Sequence, residues 1–336
     1  MVLNFKKDIS LRPYNTFGID VKSKKFVGVQ STDELKAVLK QHQGAQLLVL
    51  GGGSNLLLTQ NFEGLTIRIE TRGIEIVQEY DRSVRVKVAA GENWHNFVLW
   101  CLENDLGGVE NLALIPGSVG AAPIQNIGAY GVELREVFES CEALSIKTGD
   151  IKIFNKLDCQ FGYRNSIFKN ALKGQYIITS VQFNLTKEPH QVNTSYGGLS
   201  EKLGAKSPDI QSVAQAVIEI RSAKLPDPGQ IGNSGSFFKN PVIPAKQFME
   251  LQQQYPKMPR YPDKEGKIKI PAAWLIDHLG YKGYRMNDAG VHQNQALVLV
   301  NYGNASGAEI KKLAQAIKDN VLENFAIHLE FEVNIL

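Results

Sequence analysis

The feature that most constrains this chain is a strand of buried character that runs into bare backbone. Gln46–Leu50 (QLLVL) ends abruptly in Gly51-Gly52-Gly53-Ser54-Asn55. Consecutive glycines let backbone N–H groups converge into a nest able to hold a phosphate, and Ser54 and Asn55 add side-chain donors. The loop lacks the Gly-Lys-Ser/Thr of a P-loop. Leu56 stands where a Rossmann fingerprint needs its third glycine. Alone, the loop reads equally well as a tight strand-to-strand turn. A second segment, Ile115–Gly131 (IPGSVGAAPIQNIGAYG), packs Gly117, Gly120, Gly128 and Gly131 among alanines and prolines. Its plainer reading is an Ω-loop or a packed turn. Two such loops in successive domains fit an extended diphosphate ligand better than two coincidental turns, because each lets backbone approach the ligand closely. They point to a bound dinucleotide cofactor.

Around the loops the pattern is α+β. Lys25–Gln30 reads as a strand, and a helix starts at Ser31 with Glu34 completing a capping box. Leu65–Ile69 and the alternating Ser83–Ala89 follow as strands, then a helix over Asn93–Asp105 carrying Trp94, Phe97 and Cys101. Strands near Tyr176–Leu185 precede a helix over Asp209–Ala223 with Ile210, Val213, Ala214 and Val217 on one face. Pro226-Asp227-Pro228-Gly229 stops that helix and marks a domain boundary. Beyond it lie a helix over Ser306–Asn324 and a last strand in which Ile327, Leu329, Phe331, Val333 and Ile335 alternate with His328, Glu330, Glu332 and Asn334.

With 336 residues, 43% apolar and 21% charged, the chain is long enough to bury its own core without metal or disulfide. A net charge of +3 argues against a nucleic-acid partner. No apolar run is long enough to span a membrane, and no signal-peptide stretch is recognisable at the N-terminus, so a cytoplasmic protein is expected. Cys101, Cys141 and Cys159, odd in number and without CxxC spacing, read as reduced core thiols. The scattered histidines suggest no metal site.

Candidate catalytic residues lie outside the glycine loops. Ser236, in Gly235-Ser236-Phe237-Phe238-Lys239-Asn240-Pro241, follows a glycine and precedes an apolar run. It lacks a Gly-x-Ser-x-Gly elbow, which excludes hydrolase chemistry of that kind. A serine can donate a proton when neighbouring charges such as Lys224 and Lys239 stabilise what remains; the plainer reading is a serine in a turn. Arg164, in Phe161-Gly162-Tyr163-Arg164-Asn165-Ser166, can grip a carboxylate bidentately or simply lie on a surface strand. Glu332 falls on the polar side of the last strand, where the plain reading is the solvent face. Tyr196, in Ser195-Tyr196-Gly197-Gly198, reads as an aromatic lid or an ordinary loop tyrosine.

Together these residues resemble the UDP-N-acetylenolpyruvoylglucosamine reductase (UDP-N-acetylmuramate dehydrogenase) family. The resemblance runs through Asn15-Thr16-Phe17-Gly18, Gly51–Asn55, Ile115–Glu133, Tyr163–Ser166, Lys224–Pro228, Gly235–Pro241, His292–Leu297 and Leu329–Val333, nearly the whole chain. It implies a two-part FAD-binding region of the vanillyl-alcohol oxidase type, at 1–70 and 71–223, with a tyrosine-bearing loop near 190–200. A substrate-binding domain is implied at 224–336. FAD, held non-covalently, would contact Gly51, Gly52, Gly53, Ser54 and Asn55 in the first loop. In the second it would contact Pro116, Gly117, Ser118, Gly120, Ala121, Gln125, Asn126, Gly128, Ala129 and Tyr130. The family's proton-donating serine matches Ser236, its catalytic arginine Arg164 and its catalytic glutamate Glu332. Substrate-contacting positions match Tyr130, Tyr163, Lys224, Asn240 and Gln295, and the loop around Tyr196 resembles the substrate cover of type I members. The family commonly carries proline between its two glutamates, where this chain has Phe331.

The implied reaction passes hydride from NADPH to FAD, then from flavin N5 to C3 of the enolpyruvyl group of UDP-N-acetylglucosamine enolpyruvate. Ser236 protonates C2 to give UDP-N-acetylmuramate for peptidoglycan. Arg164 and Glu332 would stabilise the intermediate, Lys224 and Gln295 would orient substrate, and Tyr196 would help bind the uridine diphosphate and exclude water. No basic motif for a 2′-phosphate stands out, so NADPH rests on the resemblance alone. A monomer is expected. The alternatives are another flavin oxidoreductase of the same fold, such as one with covalent FAD, or a non-catalytic nucleotide-binding protein. Neither glycine loop carries a histidine or cysteine for covalent attachment.

Overall fold

A computed structural model describes residues 3–196, 198–204 and 207–336. The chain divides into two compact units that interleave along the sequence: Met1–Ile9, Ser23–Gly52 and Phe62–Arg221 in one, and Ser10–Lys22, Gly53–Asn61 and Ser222–Leu336 in the other.

In the first unit the strands Lys22–Val29, Phe62–Ile69 and Leu47–Leu50 pair in parallel, Val27 and Val49 both opposite Ile67. Parallel strands are covered on their faces and read as apolar runs. The covering helix is Thr32–Gln41, which buries Leu35, Val38 and Leu39 among Val27, Val29, Leu65 and Ile67. Its cap differs in detail from the sequence reading. Ser31 Oγ accepts from Glu34 N, but the Glu34 carboxylate takes the amide of Gln30, one residue before the cap.

A five-stranded antiparallel sheet follows, ordered Ile151–Asn155, Phe138–Ser145, Tyr176–Thr186, Ser83–Ala89 and Ile74–Glu79. Val84, Val86 and Val88 face one way and are fully buried, as strict alternation requires. The helix Trp94–Glu103, capped by Asn93, lays Trp94 and Phe97 against Phe183 with ring centroids 5.9 and 4.8 Å apart. The helix Ile210–Lys224 adds Val213, Ala214 and Val217 to the same core. Cys101, Cys141 and Cys159 are free thiols in it. Burial pushes Cys101 up, and a bond to Cys159 together with burial does the same for Cys141.

The second unit has a four-stranded sheet ordered Gly232–Ser236, Val298–Asn301, Ala289–Val291 and Arg285–Met286. The helix Gly307–Phe325 begins in a full capping box between Ser306 and Glu309 and buries Ile310, Leu313, Ala314, Ile317 and Val321. The last strand departs from expectation. Its alternation holds at Ile327, Leu329 and Val333, all buried, yet only Asn334–Ile335 form a ladder, in parallel with Leu56–Leu57. Before them Phe331 makes a single bridge to Phe238. Among the described residues no helix is long and apolar enough to cross a membrane.

Candidate active site

The first glycine loop begins where the buried Leu47–Leu50 strand ends. A Cβ at Gly52 would sit 2.8 Å from Gly117 Cα, and one at Gly51 would strike Ser118 Oγ. The two glycine loops therefore touch through bare backbone, and Gly52 is glycine because no side chain fits there. Within the second loop, Gly117 O accepts from Trp94 N, Val119 N donates to Glu92 O and Gly120 N to Ala90 O. These bonds fasten Pro116–Ala121 across the start of the Trp94 helix. Gly53, at φ +62, passes under Tyr14 O, and Thr16 N donates to Gly53 O at 3.1 Å. Asn55 Nδ2 donates to Glu332 O at 3.3 Å, while Asn55 O accepts from Asn334 N at 3.1 Å, so the first loop ends by holding the Glu332 segment.

Asn126 is completely buried and fully engaged. Its Oδ1 accepts from Arg135 N, and its Nδ2 donates to Glu133 and to Gly162 O. Those bonds tie the Gly128 turn to the turn that carries Arg164. Gly162 and Asn165 exchange both backbone bonds (3.0 and 3.1 Å), leaving Tyr163 and Arg164 at the tip. Arg164 sits at φ +51, a conformation costing roughly 1–2 kcal/mol for a residue with a Cβ. Its Nη2 donates to Gly128 O at 2.5 Å, and its guanidinium lies 5.4 Å from the Tyr163 ring. Gly128 lacks a side chain where a Cβ would lie 2.9 Å from Arg164 Nη1.

Tyr130, at φ +48, meets the Tyr196 ring edge-on with centroids 6.4 Å apart. Burial pushes its hydroxyl up, opposed by the charge of Arg221 and reinforced by Tyr196. Gln125 and Ala129 flank this turn half-buried, and Tyr163 and Tyr196 are exposed. Gly197, beside Tyr196, lies outside the described residues.

The sequence reading missed Arg221. Its Nε is buried without a protein partner, and burial, with Arg164 adding to it, pulls its pKa down against the opposing pull of Tyr130. The signal was available: the apolar stripe at Val213, Ala214 and Val217 reaches an arginine at its next inward position. Bare backbone at Gly51, Gly52 and Gly117 together with an unpaired buried guanidinium N–H suits a flat, electron-rich, diphosphate-bearing cofactor.

The second unit gathers a separate set. Ser236 ends the Gly232–Ser236 strand opposite Val298, and the next residue's amide, Phe237 N, donates to Leu297 O. Glu332 N donates to Phe237 O at 2.9 Å, and Lys239 N to Glu330 O at 2.9 Å, so Ser236 and Glu332 lie on adjacent segments. Glu330 points outward, 72% exposed, and pairs with Lys239 Nζ at 2.8 Å, whereas Glu332 is half-buried. Lys224 is exposed at the end of its helix. Asn240 Oδ1 accepts from Ala272 N at 2.9 Å, and Gln295 Oε1 from Leu297 N at 3.3 Å.

A family model for an FAD binding domain matches residues 23–155, and one described as the C-terminal domain of UDP-N-acetylenolpyruvoylglucosamine reductase matches 227–336. Curated proteins named UDP-N-acetylenolpyruvoylglucosamine reductase are similar over full length. That of Flavobacterium johnsoniae is 49% identical over 99% of this chain and 100% of its own. Those of Pseudomonas fluorescens (47%, all of both chains) and Amoebophilus asiaticus (50%, 99% of this chain and 100% of its own) agree. Among solved structures, the Thermus caldophilus reductase superposes with a TM-score of 0.71 over 99% of each chain at 23% identity. A solvent-stable cholesterol oxidase gives 0.51 at 12% identity, over 98% of this chain and 86% of its own. These two likenesses speak to the α+β fold, and the full-length identities to descent: the chain belongs to the UDP-N-acetylenolpyruvoylglucosamine reductase family.

Proposed function

We infer that this chain is an NADPH-dependent, FAD-containing reductase that converts UDP-N-acetylglucosamine enolpyruvate into UDP-N-acetylmuramate in peptidoglycan precursor synthesis. Identity of 47–50% along the whole chain to reductases of that name carries the reading. The backbone bond that sets Glu332 beside the Ser236 segment supports the choice of residues. The three-part division at 1–70, 71–223 and 224–336 belongs to the same proposal.

FAD, when bound, would supply the hydride chemistry that links NADPH to C3 of the enolpyruvyl group. Gly51–Asn55 and the Pro116–Tyr130 loop would hold the cofactor, and Arg221 Nε, buried without a protein partner, would be a donor for it. Charge then develops on C2 and the adjoining carboxylate. Arg164 grips that carboxylate with two parallel N–H bonds, which also fix its orientation. The Ser236 hydroxyl proton moves to C2, completing the lactyl ether, and Glu332 stabilises the developing charge. Lys224 and Gln295 orient the substrate, with Tyr130, Tyr163 and Asn240 as further contacts, while Lys239 is paired to Glu330. Tyr196 covers the uridine diphosphate and excludes water. The protein acts as a cytoplasmic monomer, without nucleic-acid or membrane partners; light scattering of the holoprotein tests the monomer.

The decisive experiment is the visible spectrum of the purified protein under anaerobic conditions. A flavin band that bleaches with NADPH and returns only with the enolpyruvyl substrate is expected. Bleaching without return would transfer the chain to another flavin reductase, and a colourless protein that cannot be reconstituted with FAD would overturn the reading.

A further inference from the structure

We propose that Asn111 is a positioning residue that clamps the Tyr196 segment onto the Tyr130 turn, an inference that rests on Tyr196 covering the substrate. Asn111 is completely buried in the short 3-10 turn Glu110–Leu112. Its Nδ2 donates to Tyr130 O at 2.9 Å and to Asn193 O at 2.8 Å. Both partners are carbonyls, which only accept, so the amide has one workable orientation; reversed, Oδ1 would face two other acceptors. Oδ1 is itself buried without a protein partner, so the two donor bonds are its entire polar anchorage.

The bonds continue into the tyrosine-bearing segment. Asn193 Oδ1 accepts from Ser195 N and Ser195 Oγ, at 3.1 and 2.9 Å, and Asn193 Nδ2 donates to Gly131 O at 3.4 Å. A Cβ at Gly131 would lie 3.3 Å from both Asn193 Nδ2 and Tyr196 Cβ, so glycine is what lets the segment lie this close. One buried amide thus joins the Tyr130 turn to residues that lead directly to Tyr196. A cover held in its bound orientation loses less conformational freedom when substrate arrives, so the clamp acts on substrate affinity rather than on hydride transfer.

The test uses the FAD-loaded protein. Asn111→Ala is expected to raise KM for the enolpyruvyl substrate about tenfold, the consequence of leaving two half-buried carbonyls without their donor. Flavin reduction by NADPH and kcat stay within about twofold, as expected of a residue that shapes binding and not the chemical step. Asn193→Ala, a less buried change, keeps the carbonyl that Asn111 bonds but removes the side-chain bonds to Gly131 O and from Ser195 that carry the clamp on to Tyr196, so it shifts KM in the same direction and tests that half of the clamp if Asn111→Ala fails to fold. Combining Asn111→Ala with Tyr196→Ala gives no more than the larger single effect, because the first acts through the second. Effects that multiply, or a KM unchanged in both asparagine variants while Tyr196→Ala raises it, overturn the clamp. Tyr196→Ala leaving KM unchanged overturns the cover reading itself, and the clamp with it.

Discussion

At the scale of single residues, the second unit separates two neighbouring glutamates that a linear pattern treats alike. Glu330 is exposed and paired with Lys239, while Glu332 is half-buried and its amide bonds the carbonyl next to Ser236. Glu332→Gln should therefore slow flavin reoxidation by the enolpyruvyl substrate at least about tenfold, with Glu330→Gln near wild type, under stopped flow. Ser236→Ala should keep its FAD and its reduction by NADPH but slow that second half-reaction about 10²–10⁴-fold. Loss of flavin reduction in Ser236→Ala would contradict the assignment. Ser236, Arg164 and Glu332 were singled out only through the family resemblance of their motifs, whereas Arg221 was not, because a charge continuing an apolar stripe acquires meaning only when its burial is seen. Asn126 shows the converse: read as a cofactor residue, it is completely buried, with its whole amide committed to Arg135, Glu133 and Gly162 and its N–H donated to Pro123 O.

At the scale of elements, helices were the most legible, since capping residues and a 3.6-residue stripe are local. Asn93 and Ser306 cap the helices expected to follow them. The last strand was legible only in its alternation. Its partners, Leu56–Leu57 and Phe238, lie far away in sequence, so pairing could not be read from the segment itself. The contact between glycine loops gives a sharp prediction. Gly52→Ala drives a methyl into Gly117 backbone and should weaken FAD retention about tenfold or more, read from the flavin-to-protein absorbance ratio after gel filtration. Gly149→Ala is the control: φ is +76 and nothing lies within 4 Å of the added Cβ. It should cost about 1–2 kcal/mol of stability without loss of flavin. Equal flavin retention in both would show that the loop contact is not what the cofactor depends on.

At the scale of the whole molecule, half-buried His95 and buried His292 set a pH dependence. Burial lowers the pKa of His95, with Arg221 adding to it, and lowers that of His292. Above their ordinary value of about 6.5 both folded and unfolded chains hold them neutral. As pH falls through that value the unfolded chain takes up protons that the folded chain resists, so stability is full above it and declines below it. Urea midpoints should drop between pH 7.5 and pH 5.5; an equal or higher midpoint at pH 5.5 would contradict the assignment.

The sequence by itself determined the α+β class, the helices that start near Ser31, Asn93, Asp209 and Ser306, and the family, because periodicity, caps and short motifs are local in the chain; Ala245–Gln254 and Ala272–His278 it left unread. Tertiary structure alone decided which distant segments belong together. The second unit draws in Ser10–Lys22 and Gly53–Asn61. There Asn233 N donates to Thr16 O, Asn301 Nδ2 to Phe17 O and Asn55 Nδ2 to Glu332 O. Those bonds join residues more than two hundred positions apart, and each ends on a backbone carbonyl, a group that every residue carries. Such groups leave no mark on side-chain identity, and only the folded path of the chain brings them within reach of one another.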